Sequence, residues 1–263
     1  MSREKPNCPV IMRRNGRPFL SGKVAIVVGA SGGIGASVTW GLLRNGASVC
    51  GTFNRNRKSL SRLLSEFGPR RLLAVSLDLQ LSNYADAIQD VVNTVIRKMG
   101  HIDIVIYAVG TWLVKPFLYE TAEESEGLWR LNYEGARAFM MKAIPHMMRS
   151  GGQIINIAST AGIRAPGHET TYSASKAALI ALTMSVSEEF AGRHIRCNVV
   201  SPDITDTPAL SKYLDSHSKR ALLRGIPSGR FCAPSDVADA ILAILCSEYL
   251  VGVNLVVSGG RMR

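Results

Sequence analysis

From residue 23 onward, short runs of β-branched and aliphatic residues alternate with longer stretches of helical periodicity, and the short runs show no polar alternation. A strand with one wet face alternates apolar and polar residues, whereas a strand apolar throughout must be covered on both sides. Residues 23–28, 47–53, 72–77, 103–107, 153–158, 195–201 and 253–258 read as such strands. Helices are expected over 34–44, 82–99, 123–149 (broken near Pro145), 172–191 and 235–246. The clearest is 82–99, where Ala85, Ile88, Val91, Val92, Val95 and Ile96 keep helical spacing up to Gly100. Seven strands separated by helices and joined by right-handed crossovers give a seven-stranded parallel sheet in an α/β, doubly wound, single-domain fold over residues 21–263. Residues 203–230 form the one long irregular insertion. They mix Leu210, Tyr213, Leu214, Leu222 and Leu223 with Lys212, Lys219, Arg220 and Arg224, an amphipathic pattern expected of a substrate lid.

Composition narrows the function classes. Hydrophobic residues at 46% supply a single core, and charged residues at 19% are too few for a disordered chain. No run approaches the roughly 18–20 apolar residues needed to cross a bilayer. Residues 1–20 carry Arg3, Lys5, Arg13, Arg14 and Arg17 with no apolar run behind them, so they read as a loose basic extension, not a secretory signal, and a cytoplasmic location is expected. Cys8, Cys50, Cys197, Cys232 and Cys246 are scattered, show no CxxC spacing and have no clustered histidines, so free thiols and no metal site are expected. The net charge of +11 is dispersed, without the cation runs interleaved with aromatics that nucleic-acid grooves use. It is compatible with an acidic cofactor or an acidic partner.

The first strand runs into Gly29-Ala30-Ser31-Gly32-Gly33-Ile34-Gly35, which opens the first helix. A strand-to-helix turn of this kind points free N–H groups at one spot, where a pyrophosphate fits, and glycines let the phosphate approach closely. This placement is the dinucleotide-binding turn of a Rossmann fold, although the spacing is Gly-x3-Gly-x-Gly. The second strand then leads into Gly51-Thr52-Phe53-Asn54-Arg55-Asn56-Arg57-Lys58, with none of the acid that would accept bonds from a ribose 2′-hydroxyl. Arg55, Arg57 or Lys58 would meet a 2′-phosphate instead, so NADP(H) is the expected cofactor.

Tyr172-Ser173-Ala174-Ser175-Lys176 sets a tyrosine and a lysine four apart at a helix start, hence on one face. An ammonium beside a phenol favours the phenolate, and a lowered pKa makes the phenol a usable acid and base. Such a pair is common by chance; its company here is Ser159 at the end of the fifth strand and Asn132 in the preceding helix.

With these residues in place the chain resembles the short-chain dehydrogenase/reductase superfamily over about residues 21–260, and within it the 3-oxoacyl-thioester reductases. The matching stretches are VVGASGGIG (27–35), LDL (77–79), GGQIINIASTAG (151–162), YSASK (172–176), IRCNVVSP (195–202) and VVSGG (256–260). The resemblance implies that Tyr172 is the acid/base and that Ser159 hydrogen-bonds the carbonyl oxygen. It implies that Lys176 lowers the tyrosine pKa and holds the nicotinamide ribose, and that Asn132 anchors a water relaying protons. Its cofactor site would draw on Gly29, Ser31, Gly33, Ile34 and Gly35 at the turn, then Asn54 and Arg55, Asp78 and Leu79 beside the adenine, Gly110, Tyr172 and Lys176, and finally Pro202 and Thr207. A homotetramer is implied; Arg193 aligns with a basic position that would meet an acidic acyl-carrier protein and Arg149 lies one position from another, and both also read as solvated helix-end cations. Trp112, His168 and Leu210 are expected to shape the pocket.

The sequence departs from the family at four places. Val28 replaces the threonine before the first glycine, which would remove a turn hydrogen bond. Tyr107-Ala108-Val109-Gly110 replaces Asn-Asn-Ala-Gly, removing amides that tie neighbouring strands. Asp203 follows Pro202, placing a carboxylate near the nicotinamide, and 247–252 looks short. Reduction of a 3-oxoacyl thioester, oxidoreduction of a free small ketone, and a nucleotide-binding regulator without turnover are the three readings. The complete Asn132, Ser159, Tyr172 and Lys176 set argues against the third, because catalysis needs all four and folding needs none.

Overall fold

The structure is a computed structural model, and it describes residues 9–13, 15–208, 210 and 215–262. Its seven strands are β1 (Val24–Val28), β2 (Ser48–Phe53), β3 (Leu72–Ser76), β4 (Ile104–Tyr107), β5 (Gly152–Ile157), β6 (Ile195–Pro202) and β7 (Asn254–Val257). All neighbours pair in parallel, in the order β3-β2-β1-β4-β5-β6-β7. This is the doubly wound sheet expected from the unalternating strands.

Alternate residues of β1 show why those strands are apolar throughout. Ala25 and Val27 pack with Trp40, Leu42, Leu60, Val237 and Ile241 on one side of the sheet. Val24, Ile26 and Val28 pack with Ile88, Val91, Phe139, Met147 and Leu179 on the other. The first layer is built by α1 (Gly33–Arg44), α2 (Lys58–Phe67) and, near the C-terminus, α9 (Pro234–Cys246); the second by α3 (Tyr84–Met99), α5 (Gly135–Met147) and α7 (Thr170–Phe190). Shorter helices are α4 (Ala122–Trp129), α6 (Ala161–Arg164) and α8 (Ser216–Leu223). No helix among the described residues is long and apolar enough to cross a membrane.

One element was missed and two local readings need correction. Residues 58–67, to which the sequence reading gave no element, form α2, which buries Leu60 and Leu63 under its exposed cations. Pro145 does not break the 123–149 helix: it sits in the last turn of α5, where the carbonyl it leaves unpaired belongs to the exposed Met141. The real interruption lies earlier, a single π-helical turn over Arg130–Glu134. Finally, the N-terminal stretch is not loose where it is described. The Ile11 N–H donates to Asn45 Oδ1 (2.8 Å), Asn45 Nδ2 donates to the Pro9 carbonyl (3.1 Å), and Phe19 and Leu20 are buried. Residues 1–8, including Arg3, Lys5 and Cys8, and Arg14 lie outside the described residues.

Of the expected lid, Leu210 is buried, Leu222 and Leu223 are half-buried, and Arg220 and Arg224 are exposed. The α8 helix is capped by Asp215, whose carboxylate accepts the Ser218 N–H at 2.7 Å. Lys212, Tyr213 and Leu214 lie outside the described residues.

Candidate active site

The strand order reverses between β1 and β4, so their carboxyl ends open a crevice. On the β1 side, Gly29 takes φ +81, and a Cβ on Gly35 would collide with the Gly29 carbonyl oxygen. The turn closes only with glycines there, and α1 starts without a side-chain cap, leaving its first N–H groups for an anion. The bond expected to be lost with Val28 is replaced from the neighbouring strand: the Gly29 N–H donates to Thr52 Oγ1 at 3.0 Å. Val109, from the end of β4, packs against the turn so closely that a Cβ on Gly29 would come within 2.8 Å of its Cγ2. Thr207 packs on the turn from the far side, 2.9 Å from where a Cβ on Gly33 would lie. These residues fit a dinucleotide pyrophosphate.

Beyond β2, Asn54, Arg55, Arg57 and Lys58 are exposed, and the Arg57 guanidinium lies 5.8 Å from the Phe53 ring centre. Asp78, after β3, accepts the Gln80 N–H (2.9 Å), while Leu79 is buried beside it. Pro202 closes β6, and its carbonyl accepts the Thr160 N–H (3.0 Å).

The expected chemical residues converge on the β4–β5 side. Lys176 is buried, and its ammonium donates to the Ile157 carbonyl at 2.9 Å. Asn132, fully buried in the π turn, accepts the Thr111 N–H at its Oδ1 (2.9 Å). Its amide donates to the Thr111 carbonyl and to Ser175 Oγ, both at 3.0 Å. A Cβ on Gly110 would lie 3.0 Å from Asn132 Oδ1 and 3.1 Å from Lys176 Nζ, so one small space faces both groups. Ser159 follows β5 and is hydrogen-bonded to Tyr172, and its Oγ accepts the Ala161 N–H (3.1 Å).

Burial pushes the Tyr172 phenol up to about 12, the Ser159 hydrogen bond pulls against that, and the Glu169 charge adds to it. The Lys176 ammonium is turned to the Ile157 carbonyl, and burial brings the lysine down to about 8.

Asp203, the residue after Pro202, has two partners. Its carboxylate accepts from Thr160 Oγ1 (2.9 Å) and Arg261 Nη1 (3.2 Å). Glu169 was missed by sequence reasoning: burial raises its pKa, while a hydrogen bond with Trp112 and the Arg261 charge lower it. The available signal was its position three residues before Tyr172. His168 is exposed with φ +65, and its carbonyl accepts the Lys115 N–H (2.7 Å).

The sequence profile of the short chain dehydrogenase family matches residues 23–217. The chain belongs to the short-chain dehydrogenases. It is 32% identical over 246 residues to the 3-oxoacyl-[acyl-carrier-protein] reductase FabG of Thermotoga maritima, covering 92% of this chain and 98% of that protein. It is 35% identical over 252 residues to the 4-formylbenzenesulfonate dehydrogenase of Comamonas testosteroni, with the same coverage. A short-chain dehydrogenase/reductase crystal structure from Brucella melitensis, described as a glucose/ribitol dehydrogenase, superposes with a TM-score of 0.85 at 26% identity, over 94% of this chain and 99% of the other. As a short-chain dehydrogenase the chain is an oxidoreductase of a family that uses nicotinamide cofactors, and its resemblance to the FabG reductases holds across nearly its whole length.

Proposed function

We propose that this short-chain dehydrogenase is an NADP(H)-dependent reductase that converts a ketone to a secondary alcohol, with 3-oxoacyl thioesters as its substrate class. The observation that carries the reading is the hydrogen-bonded Ser159–Tyr172 pair beside the space shared by Asn132 and Lys176. The bound nicotinamide would supply the hydride. Ser159 orients the carbonyl oxygen, and Tyr172, protonated throughout the neutral range, donates a proton to that oxygen. Lys176, charged below about pH 8, stabilises the phenolate left behind and holds the ribose. Asn132 anchors the water chain that returns a proton to Tyr172. The choice of NADP rests on the exposed Arg55, with Arg57 and Lys58 beside it, and on the missing acid at the end of β2.

The exposed Arg149 and Arg193 suit an acidic acyl-carrier protein, and the exposed apolar Met141 on α5 and Met184 on α7 suit pairing of those helices in a homotetramer. A second reading, a free small carbonyl compound as substrate, is favoured by the 35% identity to a dehydrogenase named for 4-formylbenzenesulfonate.

Turnover measured with NADPH and NADH against carrier-bound, CoA-bound and free ketones tests both. Fastest reduction of a 3-oxoacyl thioester with NADPH is expected. A clear preference for free ketones moves the assignment to the second reading, and a preference for NADH overturns the cofactor. Light scattering checks the assembly, where a monodisperse monomer at micromolar concentration contradicts the tetramer.

A further inference from the structure

We infer that Tyr107 is a positioning residue whose buried hydroxyl holds open the π-helical turn from which Asn132 reaches the site. The inference rests on the reading of Asn132 as part of the catalytic set. In an unbroken α-helix the Gly135 N–H would donate to the Leu131 carbonyl, four residues back. It donates to Arg130 instead, which widens the turn and takes from Leu131 its usual helical donor. A buried carbonyl without a donor is costly. The Tyr107 hydroxyl supplies one, at 2.7 Å.

The donor is rigid and permanent. Tyr107 ends β4, is fully buried, and packs its ring 6.3 Å from that of Phe139. Burial holds its phenol far above the ordinary range, so it stays protonated and has no access to substrate. Gly135 completes the device, because a Cβ there would collide with the Tyr107 hydroxyl. The amide that the family places at position 107 is thus replaced by a longer group reaching across to the helix. One extra residue in the turn rotates everything before it by about 100° about the helix axis relative to everything after it. In that register Asn132 spans Thr111 and Ser175. If the turn relaxed to a regular α-helix, Gly135 would bond Leu131 and the Asn132 amide would leave Thr111.

Tyr107→Phe deletes the hydroxyl and keeps the ring. We expect kcat to fall about tenfold to hundredfold, with substrate KM and nucleotide affinity little changed, and a crystal structure showing a regular helix through Leu131. Gly135→Ala, which crowds the hydroxyl from the other side, is expected to act alike and serves if the first variant folds poorly. Combining Tyr107→Phe with Asn132→Ala should lower kcat no further than Asn132→Ala alone, a non-additivity that general loosening of the core would not produce. Wild-type kcat in Tyr107→Phe while Asn132→Ala is inactive overturns the inference, as does a variant structure that keeps the π turn and the Thr111 bonds. An active Asn132→Ala enzyme overturns the reading of Asn132 itself, separately from the helix geometry.

Discussion

The Thr160 hydroxyl donates to the Asp203 carboxylate at 2.9 Å, which ties the residue beside Ser159 to the root of the 203–230 insertion. Arg261 completes the tie from the C-terminal segment, at 3.2 and 3.3 Å from the two carboxylate oxygens. The Asp203 side chain is only 7% exposed, so its removal strands a partly buried guanidinium and a hydroxyl. Asp203→Ala should cost about 2 kcal/mol, below the usual range of roughly 3–5 because Arg261 keeps some contact with water. Adding Arg261→Ala should cost little more. Thermal melts check this, and fully additive losses would show that the two residues do not act as a pair.

Cofactor preference should follow the loop after β2. Phe53→Asp removes the ring beneath Arg57 and adds an acceptor for a ribose hydroxyl, and Arg55→Ala removes a phosphate donor. Each charge-assisted bond lost from the 2′-phosphate is worth on the order of 1.5–3 kcal/mol. The double variant should turn from NADPH to NADH, read as a ratio of kcat/KM values. Equal affinity of the unmodified protein for both cofactors would contradict the assignment.

Tyr172→Phe should abolish nearly all turnover while nucleotide still binds. The change removes a hydroxyl bonded to Ser159 and leaves the ring in place, so the fold is kept. Fluorescence titration with NADPH separates binding from chemistry. A tenth of the native rate remaining would mean that another group delivers the proton.

The pH profile should show Lys176. Its pKa is lowered to about 8, so its charge is present below that pH and lost above it. Tyr172 stays protonated to about 12 and contributes no limb in this range. In the reductive direction kcat/KM should therefore fall as pH rises through about 8, and Lys176→Arg, which does not deprotonate there, should remove that limb. A flat wild-type profile to pH 9.5 would show that the lysine charge is not needed.

The insertion that begins at Asp203 is expected to close as a lid. Thr207 already touches the glycine turn, and α8 sets half-buried Leu222 and Leu223 against exposed Arg220 and Arg224. Hydrogen exchange should show protection across 205–225 when NADP and substrate are added. Protection limited to residues 29–36 would identify the segment as fixed scaffold.

The sheet was legible because both faces of each strand are buried, which writes itself into the sequence as unbroken apolar runs such as Val24–Val28. The glycine turn and the Tyr172–Lys176 spacing were legible because local geometry demands them. What escaped were contacts between segments far apart in sequence. Val28 looked like a lost hydrogen bond because Thr52, its substitute, sits on another strand. Tyr107 looked like a missing amide because its partner carbonyl is 24 positions away. The Ile157 carbonyl as acceptor of the Lys176 ammonium was not legible either, since spacing predicts a shared face but not which acceptor is chosen. α2 was overlooked for a different reason: its cations masked Leu60, Leu63, Leu64 and Phe67, which do keep helical spacing.

The contact between Val109 and Gly29 limits how this protein can be recombined. Val109 fills the place a smaller residue could leave open, and its methyl group lies where any side chain at position 29 would have to go. The end of β4 thus uses space that the glycine at the end of β1 leaves open. The constraint runs one way: the φ of +81 holds position 29 to glycine whatever its neighbours, and Val109 can lie over the turn only because it is glycine. A chimera can therefore exchange 107–110 more freely than it can exchange Gly29.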